Sequence, residues 1–95
     1  MMVEETELIV VVEEQKIEVK DAYEGEELDG KPHGTGVKYY SNGDHYRGEW
    51  VNGLKEGRGI HSYFELRSRY EGEWKKNLKN GHGKYTEENG SYFEG

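Results

Sequence analysis

Tyr46-Arg47-Gly48-Glu49-Trp50-Val51-Asn52-Gly53-Leu54-Lys55-Glu56-Gly57-Arg58-Gly59 is the stretch that decides how this chain folds. Alternate residues of a strand share a face, so Tyr46, Gly48 and Trp50 point one way while Arg47 and Glu49 point the other. Asn52-Gly53 supplies the left-handed backbone of a tight reversal, because glycine carries no Cβ and asparagine tolerates φ > 0 better than most residues. The return segment sets Gly57 and Gly59 on one face and continues the alternation to His61 and Tyr63. Glycines weaken a strand, and two in alternation need a reason. Large rings lying flat over bare backbone provide one, with Tyr46 and Trp50 across from Gly59 and Gly57.

The same text recurs. Units opening at Tyr23, Tyr46, Tyr70 and Phe93 are spaced by 23, 24 and 23 residues, and all fourteen glycines fall in phase with them. Gly25, Gly48, Gly72 and Gly95 take the third place of the unit, Gly30 and Gly53 the eighth, and Gly34, Gly57 and Gly81 the twelfth. Gly36, Gly59 and Gly83 take the fourteenth, and Gly43 and Gly90 the twenty-first. A fixed period in this range is the mark of a stacked-repeat architecture. Tyr70-Glu71-Gly72-Glu73-Trp74 and Gly81-His82-Gly83 repeat the central unit closely, so Tyr70 and Trp74 are expected over Gly83 and Gly81. Asp29-Gly30 repeats the turn, and Asn77 stands in its glycine place in the third unit, where φ > 0 remains accessible. Three departures stand out: Glu27 occupies the tryptophan place, Leu66 a glycine place in a unit one residue longer, and Glu87 the place of Tyr40 and Tyr63. The expected architecture is all-β, an elongated antiparallel sheet of successive hairpins. It divides into residues 1–22, repeats at 23–45, 46–69 and 70–92, and the start of a fourth at 93–95.

These motifs resemble the MORN repeat, whose pattern is an aromatic residue, Gly-Glu-Trp, Asn-Gly and a Gly-x-Gly pair. The resemblance runs from Tyr23 to Gly95. It implies a non-catalytic protein-interaction or scaffolding module, of the kind found in cytoskeletal, ciliary or flagellar assemblies. Similar repeats also occur at membranes, and as accessory segments beside lipid-kinase or SET-methyltransferase domains. An intracellular, cytoplasmic setting is expected with it.

Composition agrees with a repeat. Hydrophobic residues make up 32% and charged residues 35% of the 95, too lean a supply for a closed globular core. A repeat sheet manages because each unit buries its aromatic face against its neighbours. The first 22 residues differ. Leu8 to Val12 is a continuous apolar run and Ile17-Glu18-Val19 alternates, so both predict strands. Their expected role is a cap on the first hairpin's edge, the alternative being a docking strand, with self-association through sheet edges a further route to partners.

Charge is divided unevenly. Met1 to Asp29 carries eleven acids against Lys16 and Lys20, a balance of −9, while the remainder is +2. That acidic head argues against nucleic acid as a ligand, since neutralising phosphates supplies most of such affinity. Lys75, Lys76, Lys79 and Lys84 form a mildly basic group able to meet an anionic lipid surface. Glu26, Glu49 and Glu73 fall in phase on the face opposite the rings, about 10 Å apart. They read as solvated acids paired with neighbouring lysines or arginines, or as a ladder read by a partner.

No catalytic constellation emerges. The chain has no cysteine, which removes thiol nucleophiles, disulfides and thiolate metal sites. His33, His45, His61 and His82 occupy different places of the unit and form no close ligand pair, so neither metal nor cofactor is expected. His33-Gly34-Thr35-Gly36 and Gly81-His82-Gly83 do not continue into a nucleotide-binding fingerprint. Ser41, Ser62, Ser68 and Ser91 have no recurring histidine or acid partner. The chain is therefore expected not to be an enzyme.

Overall fold

The computed structural model describes residues 20–95. Its strands are β1 (Ala22–Leu28), β2 (Lys31–Tyr39), β3 (His45–Val51), β4 (Leu54–Tyr63), β5 (Ser68–Lys75), β6 (Leu78–Thr86) and β7 (Tyr92–Glu94). They form one antiparallel sheet whose spatial order is the chain order, β1 to β7. This is the predicted meander of hairpins. The strands expected at Leu8–Val12 and Ile17–Val19 lie outside the described residues.

The hairpins β1–β2, β3–β4 and β5–β6 close through two-residue turns with both residues at φ > 0: Asp29 and Gly30, Asn52 and Gly53, Lys76 and Asn77. That is the turn whose twist matches the flanking strands. Asn77, at φ 69°, replaces the turn glycine without loss of geometry, as expected from its side chain. It also ties units together, because its Oδ1 accepts the Lys55 N–H at 2.9 Å and its own N–H donates to the Lys55 carbonyl at 3.1 Å. Gly53 N–H makes the equivalent bond to the Pro32 carbonyl one unit earlier. At the opposite edge, Gly43 and Gly90 supply φ > 0. In the longer second unit the left-handed residue is Arg67, at φ 50°, one position beyond the Leu66 that stands in the glycine place.

A single row of glycines crosses the sheet. Gly25 pairs with Gly36, Gly36 with Gly48, Gly48 with Gly59, Gly59 with Gly72 and Gly72 with Gly83. Gly95 then exchanges two backbone hydrogen bonds with Gly83. On this bare strip lie the tyrosine rings. A Cβ added at Gly36, Gly59 or Gly83 would run into the ring of Tyr23, Tyr46 or Tyr70 respectively. The expected placing of Tyr46 over Gly59 and of Tyr70 over Gly83 is what the sheet shows.

The tryptophans are one strand away from their predicted place. Trp50 stands opposite Gly34, not Gly57, and Trp74 opposite Gly57, not Gly81. Their indole N–H groups donate to the carbonyls of Gly36 and Gly59 at 3.1 Å. Each indole therefore reaches back over the preceding unit. Tyr46, Trp50, Tyr70 and Trp74 form the buried core, flanked by half-buried Tyr23, Tyr40, Tyr63 and Tyr85. The rings meet edge to face, with Trp74 5.3 Å from Tyr46 and 5.4 Å from Tyr70, the geometry aromatic quadrupoles favour.

The twelfth-place glycines have a different task from the one predicted. The pairing slips between Gly48 and Glu49, and again after Gly25 and Gly72, leaving the second strand of each hairpin bulged. Gly34, Gly57 and Gly81 sit in these bulges at φ 94°, 63° and 68°, which L residues avoid. Over each lies a carboxylate and not an indole, from Glu26, Glu49 and Glu73 in turn. The same carboxylates accept the backbone N–H groups of Thr35 (3.2 Å), Arg58 (2.5 Å) and His82 (2.7 Å). The bulge frees a donor, and the glutamate takes it.

Glu49→Ala and Glu73→Ala should therefore each destabilise the sheet by about 0.5–1.5 kcal/mol, because an exposed bulge donor exchanges its carboxylate for water. Glutamine, which keeps an acceptor oxygen, should cost less than alanine at both positions. Thermal melts of the two pairs read this directly; equal losses for Ala and Gln would show that the carboxylate is not acting as an acceptor.

Candidate functional site

The face that carries the rings also carries an unusual row of cations. Lys55 is the second residue of β4, opposite Trp50, and alternation turns it to the same side as Tyr46. Its Nζ lies 5.3 Å from the Tyr40 ring centre, 4.9 Å from Tyr46 and 4.7 Å from Trp74. Only 9% of Lys55 is exposed. Ring quadrupoles attract an ammonium group in this position, yet the loss of water is larger. Burial, with Lys38 next, pulls Lys55 down from 10.5 to about 8.

The hydrogen-bonding neighbour of its ammonium group is His61, with Nδ1 3.2 Å from Nζ. His61 stacks on Tyr63 at 4.4 Å and on Tyr40 at 5.5 Å, and its Nε2 is 3.1 Å from Asp44 Oδ2. The other oxygen of Asp44 accepts the Phe64 N–H. Burial, helped by Lys55, lowers the His61 pKa against the pull of Asp44. Burial would raise Asp44, but the Phe64 N–H and His61 outweigh it and hold the carboxyl below its ordinary value. A neutral His61 that donates from Nε2 and accepts at Nδ1 satisfies all three groups. The chain Asp44–His61–Lys55 works as an internal polar tie between the Phe64 N–H and the ring face.

Lys79 repeats Lys55 one unit later. Its Nζ is 4.6 Å from Tyr70 and 5.7 Å from Tyr63, but no indole covers it and it is exposed. Lys38, on β2, lies 5.3 Å from the Tyr40 ring.

The four lysines expected to form one basic group are thus divided. Lys75 ends β5 and Lys76 lies within the third tight turn, at φ 48°. Lys79 belongs to the ring face. Lys84 belongs to the other face, registered between Glu71 and Glu94 and lying over Tyr92 at 4.3 Å. The structure does not bring them together. Glu26, Glu49 and Glu73 keep their in-phase places, each turned to a backbone N–H of its bulge, with Glu26 and Glu49 exposed. Lys38 and Lys55 escaped notice in the sequence, although the shared tenth place of Lys55 and Lys79 was a usable signal.

A second surface lies along the tight-turn edge. Leu28 (50% exposed), Val51 (43%), Leu54 (37%) and Leu78 (70%) stand at the strand ends beside the turns. Leu28 pairs with Lys31, Val51 with Leu54, and Lys75 with Leu78. The row is aliphatic with lysines set into it. Elsewhere on the face away from the rings, shallow hollows of about 390 and 250 Å³ share Arg58 and Glu71, with Arg47 and Ile60 lining one and His82, Lys84 and Glu94 the other. Among the described residues no group of three or more histidines or acids is placed to hold a metal ion. No described helix is long and apolar enough to cross a membrane.

An open sheet of in-phase hairpins, with rings on a glycine strip and each indole completing the unit before it, defines a stacked β-hairpin repeat module. The MORN repeat model matches residues 23–45, 46–64 and 70–92, well over half of the chain. The chain belongs to the MORN-repeat family, a family of non-catalytic repeat modules. Curated relatives include Alsin from Rattus norvegicus, Mus musculus and Homo sapiens, each 50% identical over 42 residues. The match takes in 43% of this chain and spans only 2% of the length of those relatives.

Proposed function

We propose that the chain is a non-catalytic protein-interaction module that serves as a scaffold, docking its partner along the tight-turn edge. The exposed aliphatic row of Leu28, Val51, Leu54 and Leu78 carries this reading, because apolar side chains aligned on one surface mark a contact site more often than scattered ones do. The setting that family membership suggests is intracellular and cytoplasmic, within a cytoskeletal, ciliary or flagellar assembly. The relatives' great length supports a variant of the same idea, in which the repeats are an accessory module of a larger protein, an enzyme of the SET-methyltransferase or lipid-kinase type included. No group arranged for catalysis accompanies the edge, and no chemistry is assigned to the chain itself.

Lys31, Lys75 and Lys76 beside these leucines support a second reading, contact with an anionic membrane surface, where apolar tips and lysines act together. One experiment separates the two. A photoreactive residue at Leu54 should trap a defined protein in cells, and adding Leu28→Glu with Leu78→Glu should abolish that adduct while leaving the melting temperature unchanged. Binding of the parent to phosphatidylserine vesicles, with no protein adduct, would replace the scaffold reading by the membrane one.

A further inference from the structure

We propose that the ring face is a second docking surface, one that receives an acidic peptide segment through the ammonium groups of Lys38 and Lys79, with Lys55 between them adding to the field. Three lysines on β2, β4 and β6 converge on the tyrosine side of the sheet: Lys38 and Lys55 share the Tyr40 ring, and Lys79 sits between Tyr63 and Tyr70. None of the three has a carboxylate within ion-pair distance among the described residues.

The acids that could neutralise them are engaged or distant. Asp44 is held by His61 and the Phe64 N–H, and Asp21 accepts the Ser41 N–H at the loop edge. Glu26, Glu49 and Glu73 are turned into their bulges. Glu27 and Glu87 occupy this face only on its first and last long strands, β1 and the end of β6. The centre of the face is therefore positive, with Asp44 the acid that acts on Lys55. Burial lowers Lys55 most, Lys38 and Lys79 add to it as like charges do, and Asp44 pulls the other way.

The partner's chemistry follows from the surface. Ammonium groups set among half-buried tyrosines offer charge at the centre and apolar ring area around it. A segment carrying both carboxylates and aliphatic side chains satisfies both, and charge complementarity of this kind steers and selects partners. Carboxylates on that segment would be matched by Lys38 and Lys79, whose partial exposure leaves them reachable, while the buried Lys55 acts at short range without contact.

This surface is distinct from the leucine edge and is tested separately. The full chain is titrated with a fluorescein-labelled Leu/Glu-rich peptide and with its Leu/Gln counterpart, and anisotropy is followed at low and high salt. The glutamate peptide should bind and the glutamine peptide should not, with affinity falling as sodium chloride is raised. Lys38→Glu with Lys79→Glu should weaken binding at least about tenfold. Arg47→Glu with Arg58→Glu, on the opposite face, should leave it within about twofold, and both double variants should melt with the parent. Four results would each overturn the proposal without touching the leucine edge: equal binding of the two peptides, no binding of either, loss only with the arginine variant, or capture of phosphatidylserine vesicles through Lys38 and Lys79 with the peptide left free. If melting shows that the lysine pair unfolds the sheet, Lys38→Gln with Lys79→Gln replaces it, and an unchanged affinity there counts against the proposal equally.

Discussion

Gly59→Val should lower the melting temperature by about 10 °C or more, the largest effect of any single substitution on the glycine strip. A branched side chain at this position enters the volume of the Tyr46 ring, and that ring is the one large side chain with no exposure at all. Overpacking costs about 1–3 kcal/mol even where neighbours can shift. Here the ring is fixed between Trp50 at 5.0 Å and Trp74 at 5.3 Å, with its hydroxyl donating to the Glu49 carbonyl. In a domain of this size about 1 kcal/mol moves the melting point by roughly 4–8 °C. Gly57→Ala should cost less and for a different reason: the backbone there is left-handed at φ 63°, a penalty of about 1–2 kcal/mol. Differential scanning calorimetry of the two variants ranks them. A Gly59→Val protein that melts with the parent would mean that Tyr46 does not rest on that glycine.

Trp74→Ala should cost about 3–5 kcal/mol, the usual range for deleting a buried indole. It removes the edge contacts to Tyr46 and Tyr70 and the hydrogen bond to Gly59. It also uncovers Lys55, whose pKa of about 8 follows first from burial. The milder Trp74→Leu keeps enough fold for the second measurement, in which the Lys55 ammonium, followed by NMR, should titrate closer to 10.5. The sign of the linked stability is fixed. Between about pH 8 and 10 the unfolded chain holds a proton on Lys55 that the folded chain has released, so this group makes stability rise with pH. Above 10 Tyr46 opposes it, because burial keeps its phenol protonated in the fold while the unfolded phenol ionises. Trp74→Leu should flatten the rise below pH 10. A slope equal to the parent's would assign it to another group.

How much of this was legible depended on whether a feature obeyed simple alternation. Tyr46 over Gly59 follows from counting residues by two through an Asn-Gly turn, and the strand order follows from the 23-residue period. The bulge defeats such counting. Two extra residues in the return strand keep Gly57 and Gly59 in apparent alternation while one becomes a left-handed hinge and the other a ring bed. That slip is why the partner of the exposed Glu49 is the Arg58 N–H and not a neighbouring lysine or arginine side chain. The placing of Trp50 over the previous unit depends on pairing between hairpins, which no single unit encodes. Lys55 was missed because a lysine near a turn is ordinarily solvated, and only the assembled rings of three strands show that this one is enclosed.

Since the Trp74 indole roofs Lys55 of the unit before it, and Trp50 likewise reaches back to the Gly36 carbonyl, no unit is a complete object by itself. Tyr40, Tyr46 and Lys55 come from two units and Trp74 from a third, so the natural module is the seam, not the repeat. Such a protein has the logic of roof tiles. Whole tiles in the 23- or 24-residue phase can be inserted or removed and the overlaps re-form, whereas half a tile leaves a lysine bare on one side and an indole without its bed on the other. Length thus becomes a quantity set by copy number, and two binding sites carried on different tiles are held apart by a distance counted in strand spacings.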